Sequence, residues 1–131
     1  MQHEFRIRTQ RKTELVDITG RVADIVRQSG IEEGICHVYV AHATAALVIN
    51  ENDDPNVCTD FLECLDKLIP HGIWRHDRID NNAAAHIKAA LLGPSETVPV
   101  HAGRLVLGTW QAIMLAELDG PRERRVIVTV R

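Results

Sequence analysis

Residues 97–131 read TVPVHAGRLVLGTWQAIMLAELDGPRERRVIVTVR. Four runs in it, Thr97–Val100, Leu105–Leu107, Trp110–Leu118 and Arg125–Val130, have the length and apolar content of strands. His101–Gly103 and Asp119-Gly120-Pro121 punctuate them with turn residues. A doubly wound parallel sheet needs a crossover, usually a helix, between successive strands, and none fits here. A block of consecutive strands beside helices elsewhere points instead to an α+β protein. The last two runs are expected to pair as a long hairpin.

Working back from this block, Asn82 is placed to cap a helix through Ala83–Leu92, with Ile87 and Leu91 four apart and Gly93-Pro94 as the stop. Asp54 as N-cap and Pro55 at the first helical position open another helix, with Val57, Phe61, Leu65 and Leu68 on one face and Pro70 ending it. Ile35–Val40 and Ala45–Ile49 read as buried strands interrupted by His42 and Thr44. Thr19 is a candidate cap for a short helix that stops at Ser29-Gly30. Phe5 and Ile7 alternate with charged residues as in a half-buried strand, and Leu15–Ile18 is expected to pair with it as a hairpin.

At 131 residues the chain suits one domain, 1–131, able to bury roughly two thirds of its unfolded surface without a metal or disulfide staple. The hydrophobic fraction of 45% and charged fraction of 25% are those of an ordinary globular protein and exclude collagen-like, coiled-coil and disordered readings. A net charge of -3 with scattered basic residues gives no footprint for a nucleic-acid backbone. No apolar run approaches the ~18 residues of a membrane span, and Met1–Lys12 lacks the apolar core of a signal peptide. Cys36, Cys58 and Cys64 match no zinc or redox spacing, which suits a cytoplasmic location.

Seven histidines are more than packing requires, and neutral imidazole is a frequent transition-metal ligand. No HExxH or paired-cysteine pattern fixes a ligand set, so each histidine taken alone reads as a surface or hydrogen-bonded residue more often than as a ligand. Glu51, Asp53 and Asp54 can serve a hard cation or cap the following helix. Gly103–Thr109 has the glycine spacing of a phosphate loop but no lysine before the threonine, which excludes a P-loop. Neither serine lies in a GxSxG setting, so a serine hydrolase has no support. Trp74 and Trp110 read as packing residues before pocket walls.

The segment His42-Ala43-Thr44-Ala45-Ala46-Leu47-Val48-Ile49-Asn50-Glu51-Asn52 closely resembles the HTTAxLxINEN signature of the YjbQ-like family. The resemblance continues through Trp74-Arg75-His76-Asp77, Asn82–Ala89, Gly103-Arg104, Leu107–Gln111 and Glu117–Pro121, nearly the whole chain. Family members commonly carry threonine or serine where Ala43 stands. Many have aspartate near Ala84, so that alanine removes a possible metal or acid/base group.

The resemblance implies an α+β fold with a two-sheet, mostly antiparallel β-sandwich and flanking helices, assembled as a homotrimer. It also implies a secondary thiamine-phosphate synthase activity, joining a pyrimidine methyl diphosphate to a thiazole phosphate with diphosphate release. His42, Glu51 and His86 are then the catalytic candidates, and His42, His76 and His86 the candidate metal ligands. Lys88 and Arg104 would neutralise phosphate, with Thr109, Trp110 and Gln111 as a pocket wall. The divalent metal is zinc if histidines choose it and magnesium if the diphosphate does, and the sequence leaves both open. Two other readings use the same residues: a non-enzymatic trimer binding a metal or anionic metabolite, and a metal-assisted phosphoester hydrolase.

Overall fold

A computed structural model describes residues 1–131. Eight strands and three helices follow in the order β1 (Gln2–Arg8), β2 (Glu14–Asp17), α1 (Thr19–Ser29), β3 (Glu33–Val40), β4 (Ala45–Glu51), α2 (Pro55–Leu68), α3 (Ala83–Leu92), β5 (Ser95–His101), β6 (Arg104–Leu105), β7 (Gln111–Glu117) and β8 (Glu123–Val130). A 3₁₀ turn, Arg75–Arg78, precedes α3. The strands form two antiparallel sheets, a large one ordered β1-β8-β3-β5-β6 and a small one ordered β2-β7-β4. The fold is therefore the expected α+β sandwich.

The two sheets share one core. Period-two alternation sends Cys36, Val38 and Val40 of β3 and Val126, Val128 and Val130 of β8 inward, against Leu47, Ile113 and Leu115 of the small sheet. Helix α1 adds Val22, Ile25 and Val26, the one apolar face its 3.6-residue period provides, to the same cluster. It ends at Gly30, whose φ of 71° is the left-handed conformation glycine adopts without a Cβ penalty. The opposite face of the small sheet is covered mainly by α3, where Ala85 and Ala89 pack with Leu118. Alanine at these positions lets the helix axis approach the sheet closely, and the sequence departure Ala84 lies among them, buried.

Both expected hairpins are absent, for one reason. The chain crosses between the sheets at residues 9–13 and again at 118–122, and the two crossings bond to each other. Thr9 N–H donates to Arg122 O at 2.8 Å, and Gly120 N–H donates to Lys12 O at 2.9 Å. Consequently β1 pairs with β8 and β2 with β7, each strand taking its partner from the other crossing. Thr19 is not the cap of α1 either. It is the first helical residue, Asp17 accepts its N–H at 2.9 Å, and its hydroxyl accepts Ile113 N–H at 2.9 Å, fastening the helix to β7.

Candidate functional site

Beneath the two crossings lies a buried polar cluster that the sequence reading did not single out. Glu117 and Arg124 are fully enclosed and form a two-pronged ion pair, with Arg124 Nε to Glu117 Oε1 at 2.8 Å and Arg124 Nη2 on Oε2. Arg124 Nη2 also donates to Thr44 O at 3.1 Å and Thr44 Oγ1 at 3.0 Å, while Thr9 Oγ1 donates to Glu117 Oε1 at 2.6 Å. Burial pushes the Glu117 carboxyl up, but the bonds from Arg124, Thr9 and the Asp119 N–H outweigh it and hold it below the usual carboxylate range. A signal for this cluster existed in Glu117, a charged residue inside the apolar run that precedes the Asp119-Gly120-Pro121 turn.

Above this cluster opens a cleft of about 550 Å³. Its walls bring together Arg8 from β1, His42 and Thr44 from the β3–β4 connection, Asn82 and His86 at the start of α3, and Arg122 and Arg124 from the second crossing and β8. Arg124 is neutralised by Glu117 and Arg122 by Asp119; Arg8 makes no ion pair, although Glu123, opposite it across the β1–β8 ladder, lines the same cleft. The cleft thus sets three guanidinium groups and several N–H donors against one lining carboxylate, an inventory that suits an oxyanion.

His42 continues the β3–β8 ladder with its side chain: Nε2 accepts the Arg125 N–H at 2.8 Å. Burial, followed by the charge of Arg124, lowers its pKa, with Glu117 offsetting only in part. The ring is therefore neutral at pH 7, and with Nε2 accepting, Nδ1 carries the proton. As a cleft residue His42 is a hydrogen-bond donor, and neither nitrogen has a lone pair to spare.

His86 reaches the cleft from the second turn of α3, and also lines an adjoining, mostly apolar hollow of about 300 Å³ with Trp74, His76 and Ile87. The rings of His76 and His86 meet edge to face with centroids 5.0 Å apart. Asp77 fixes that contact. Its Oδ2 accepts Trp74 N–H and its Oδ1 accepts Ala83 N–H, both at 3.0 Å, pinning the 3₁₀ turn to the N-terminus of α3. His76 Nε2 is enclosed without a hydrogen-bond partner, the nearest carboxylate, that of Asp80, standing 3.6 Å away. Two of the three predicted metal ligands thus lie side by side, but His42 is otherwise engaged and no three His, Cys, Asp or Glu side chains converge within the chain. These residues do not make a complete metal site within the chain.

The other predicted residues lie apart. Glu51 ends β4, whose register runs from Ala45↔Glu117 to Glu51↔Gln111, so six residues and roughly 20 Å of strand separate it from the His42 end. It lines a different cavity, of about 240 Å³, between α2 and the small sheet. Gln111 spends its side-chain oxygen on Gly108 N–H at 2.8 Å, closing the turn in which Thr109 and Trp110 stand exposed. Lys88 is buried and bound to Asp66 at 2.5 Å. Arg104 is on the β5–β6 hairpin beside α1.

The same sequence pattern and fold recur in known proteins. Residues 3–131 match the family model described as UPF0047 protein YjbQ-like. The chain belongs to the YjbQ-like family. Among YjbQ-like relatives, a UPF0047 protein of Archaeoglobus fulgidus is 48% identical over 126 residues, covering 95% of this chain and 97% of its own. The UPF0047 protein YugU of Bacillus subtilis is 41% identical, covering 95% and 94%. Among solved structures, a YbjQ-like protein of unknown function from Sulfolobus solfataricus superposes with a TM-score of 0.96 at 45% identity, over 99% of this chain and 95% of that one. A YjbQ/UPF0047 protein from Clostridium acetobutylicum gives 0.95 at 42%, over 98% and 99%. No helix of this YjbQ-like protein is long and apolar enough to cross a membrane.

Proposed function

We propose that the cleft binds a phosphorylated small molecule and that the protein acts on it as a thiamine-phosphate-synthase-like transferase, joining a pyrimidine methyl diphosphate to a thiazole phosphate. One observation carries the reading: Arg8 at the end of β1 and Arg122 and Arg124 around the start of β8 converge on one open polar cleft with Asn82, His42 and His86. Such a transfer needs donors on the departing diphosphate and a partly dry place for the ring that receives the new bond. The cleft supplies the first, and the apolar hollow beyond His86 supplies the second. Since one chain does not complete a metal site, a divalent ion would arrive on the diphosphate oxygens, as magnesium does in phosphate chemistry.

The functional assembly is a homotrimer. Leu68, Ile73, Ile79, Leu91 and Trp110 are each at least 60% exposed, an apolar surface that association would cover. Assembly is also the route by which Glu51, remote from the histidines in its own chain, could serve the site. Three free cysteines suit a reducing, cytoplasmic setting.

The test uses purified protein with both thiamine precursors under magnesium, manganese and zinc in turn, beside His86→Ala and a chelated control. Turnover that falls in the variant and in the chelated control supports the transferase. Equal turnover in all preparations would identify a contaminant. Binding of inorganic diphosphate without turnover under any metal would leave an anion-binding protein, and release of phosphate from an ester without ring transfer would leave a hydrolase.

A further inference from the structure

Asp119 stands behind the cleft and touches no bound molecule's space directly, yet it holds more of the cleft than any other side chain. Its carboxylate is 6% exposed and takes three donors from three segments. Lys12 Nζ binds Oδ1, Asn82 Nδ2 donates to Oδ2 at 2.8 Å, and Arg122 Nη2 donates to Oδ2 at 3.0 Å. Its main chain adds two more bonds. Arg122 Nε donates to Asp119 O at 2.7 Å, and Asp119 N–H donates to Glu117 Oε2 at 3.0 Å, tying it to the Arg124 pair. We infer that Asp119 is a positioning residue for the cleft, its buried carboxylate fixing the guanidinium of Arg122 and the amide of Asn82 in the geometry that receives the anion.

Three physical arguments support this. A carboxylate only accepts, so Asp119 fixes one N–H of the Asn82 amide and thereby sets the direction of the second, the one left to donate to a ligand. Asn82 occupies the N-cap position of α3, yet its Oδ1, the atom that would accept the helix N–H groups, is buried without a partner, so the amide is oriented by the Asp119 bond at Nδ2 and not by the helix end. Arg122 has a side chain 54% exposed, and a long solvated guanidinium keeps one geometry only where bonds hold it, here at both Nε and Nη2. Burial pushes the Asp119 carboxyl up, but its bonds from Lys12, Asn82 and Arg122 prevail and bring it to about 2, so the clamp is ionised throughout the neutral range.

The inference rests on the cleft being the anion site, and the experiment separates the two. Inorganic diphosphate is titrated calorimetrically into wild type, Asp119→Asn, Asp119→Glu, and Asp119→Asn in an Arg122→Ala/Asn82→Ala background. Removing a negative charge beside the cleft should by Coulomb's law tighten anion binding. A positioning role predicts the reverse, a loss on the order of tenfold for Asp119→Asn that disappears when Arg122 and Asn82 are already gone. Unchanged or tighter binding by a folded Asp119→Asn overturns the inference, as does the same loss in the background lacking both partners. Should the asparagine variant fail to fold, Asp119→Glu, which keeps the charge but displaces the carboxylate, must show a loss of similar sign. A second readout needs no ligand. The Asn82 side-chain amide and the Arg122 guanidinium signals in ¹H–¹⁵N spectra should be shifted and resolved in wild type and collapse toward solvent values in Asp119→Asn. If wild type binds no diphosphate, the proposed function fails while the spectra still decide the clamp, and spectra unchanged by the substitution reject it.

Discussion

At the scale of single residues, Glu117 shows how the chain can tolerate two opposite charges in its interior. Arg124 alone would be an uncompensated buried cation, and breaking such a pair by removing one partner costs about 3–5 kcal/mol. Glu117→Gln should therefore lower the unfolding free energy by about that amount in urea titrations at neutral pH, with the carbonyl of Thr44 left as the main acceptor for the guanidinium. The same carboxylates set the acid limb of stability. Glu117, Asp119 and Asp17 all have folded pKa values below their ordinary ones, so in the unfolded chain they bind protons first as pH falls. Their stabilisation is fully present above the ordinary carboxylate range and declines as pH drops through it toward about 2, where Asp119 itself is protonated. His42 adds a milder loss that starts higher, below the ordinary imidazole pKa of 6.5. Glu117, Asp119 and His42 all lie in segments that carry the family resemblance, but only His42 was legible as a site residue. Glu117, Asp119 and Arg124 look like strand-end charges in one dimension and become a network only when two crossings distant in sequence come together.

At the scale of elements, the helices were the most legible part. Asp54 caps α2, accepting Asn56 N–H at 2.9 Å, and α3 runs over Ala83–Leu92, the expected bounds, although Asn82 makes no capping bond with its side chain. Local signals mark helix ends because the unpaired N–H and C=O groups must be satisfied within a few residues. Strand pairing has no such local signature. β1 and β2 each present one apolar face, which either of two partners can bury, and a crossing five residues long resembles a hairpin loop. The crossings themselves are tight. A Cβ on Gly120 would come within 2.2 Å of Arg11 O and 2.7 Å of Glu117 Cγ, contacts that backbone cannot yield cheaply. Gly120→Ala should push the two crossings apart, costing about 1–3 kcal/mol in thermal or chemical melts and weakening diphosphate binding along with stability. A variant that melts as wild type does would mean the crossings are more pliable than their bonds suggest.

At the scale of the whole molecule, α2 is the element whose role is incomplete in one chain. Its apolar residues Val57, Phe61, Leu65 and Leu68 fall on one face, as the sequence indicates, yet none of them is fully buried. Light scattering is expected to report three chains per particle at micromolar concentration, and Leu68→Glu with Leu91→Glu to shift the particle toward monomer without unfolding it. A stable monomeric wild type would leave that face unexplained and the trimer rejected.

The sheet order has a bearing on how the protein is made. β8 is the middle strand between β1 and β3, which do not touch each other, and it is synthesised after both. Until residues 123–130 leave the ribosome, β1 and β3 face a gap one strand wide, with unpaired N–H and C=O groups along two edges. The cleft shares that fate, since Arg8 stands on β1 and His42 accepts its bond from Arg125 of β8. A chain interrupted at residue 122 would possess most of the apolar core residues and none of the finished site. The fold, and whatever chemistry it supports, is therefore closed only when residues 123–130 are free to pair with both β1 and β3.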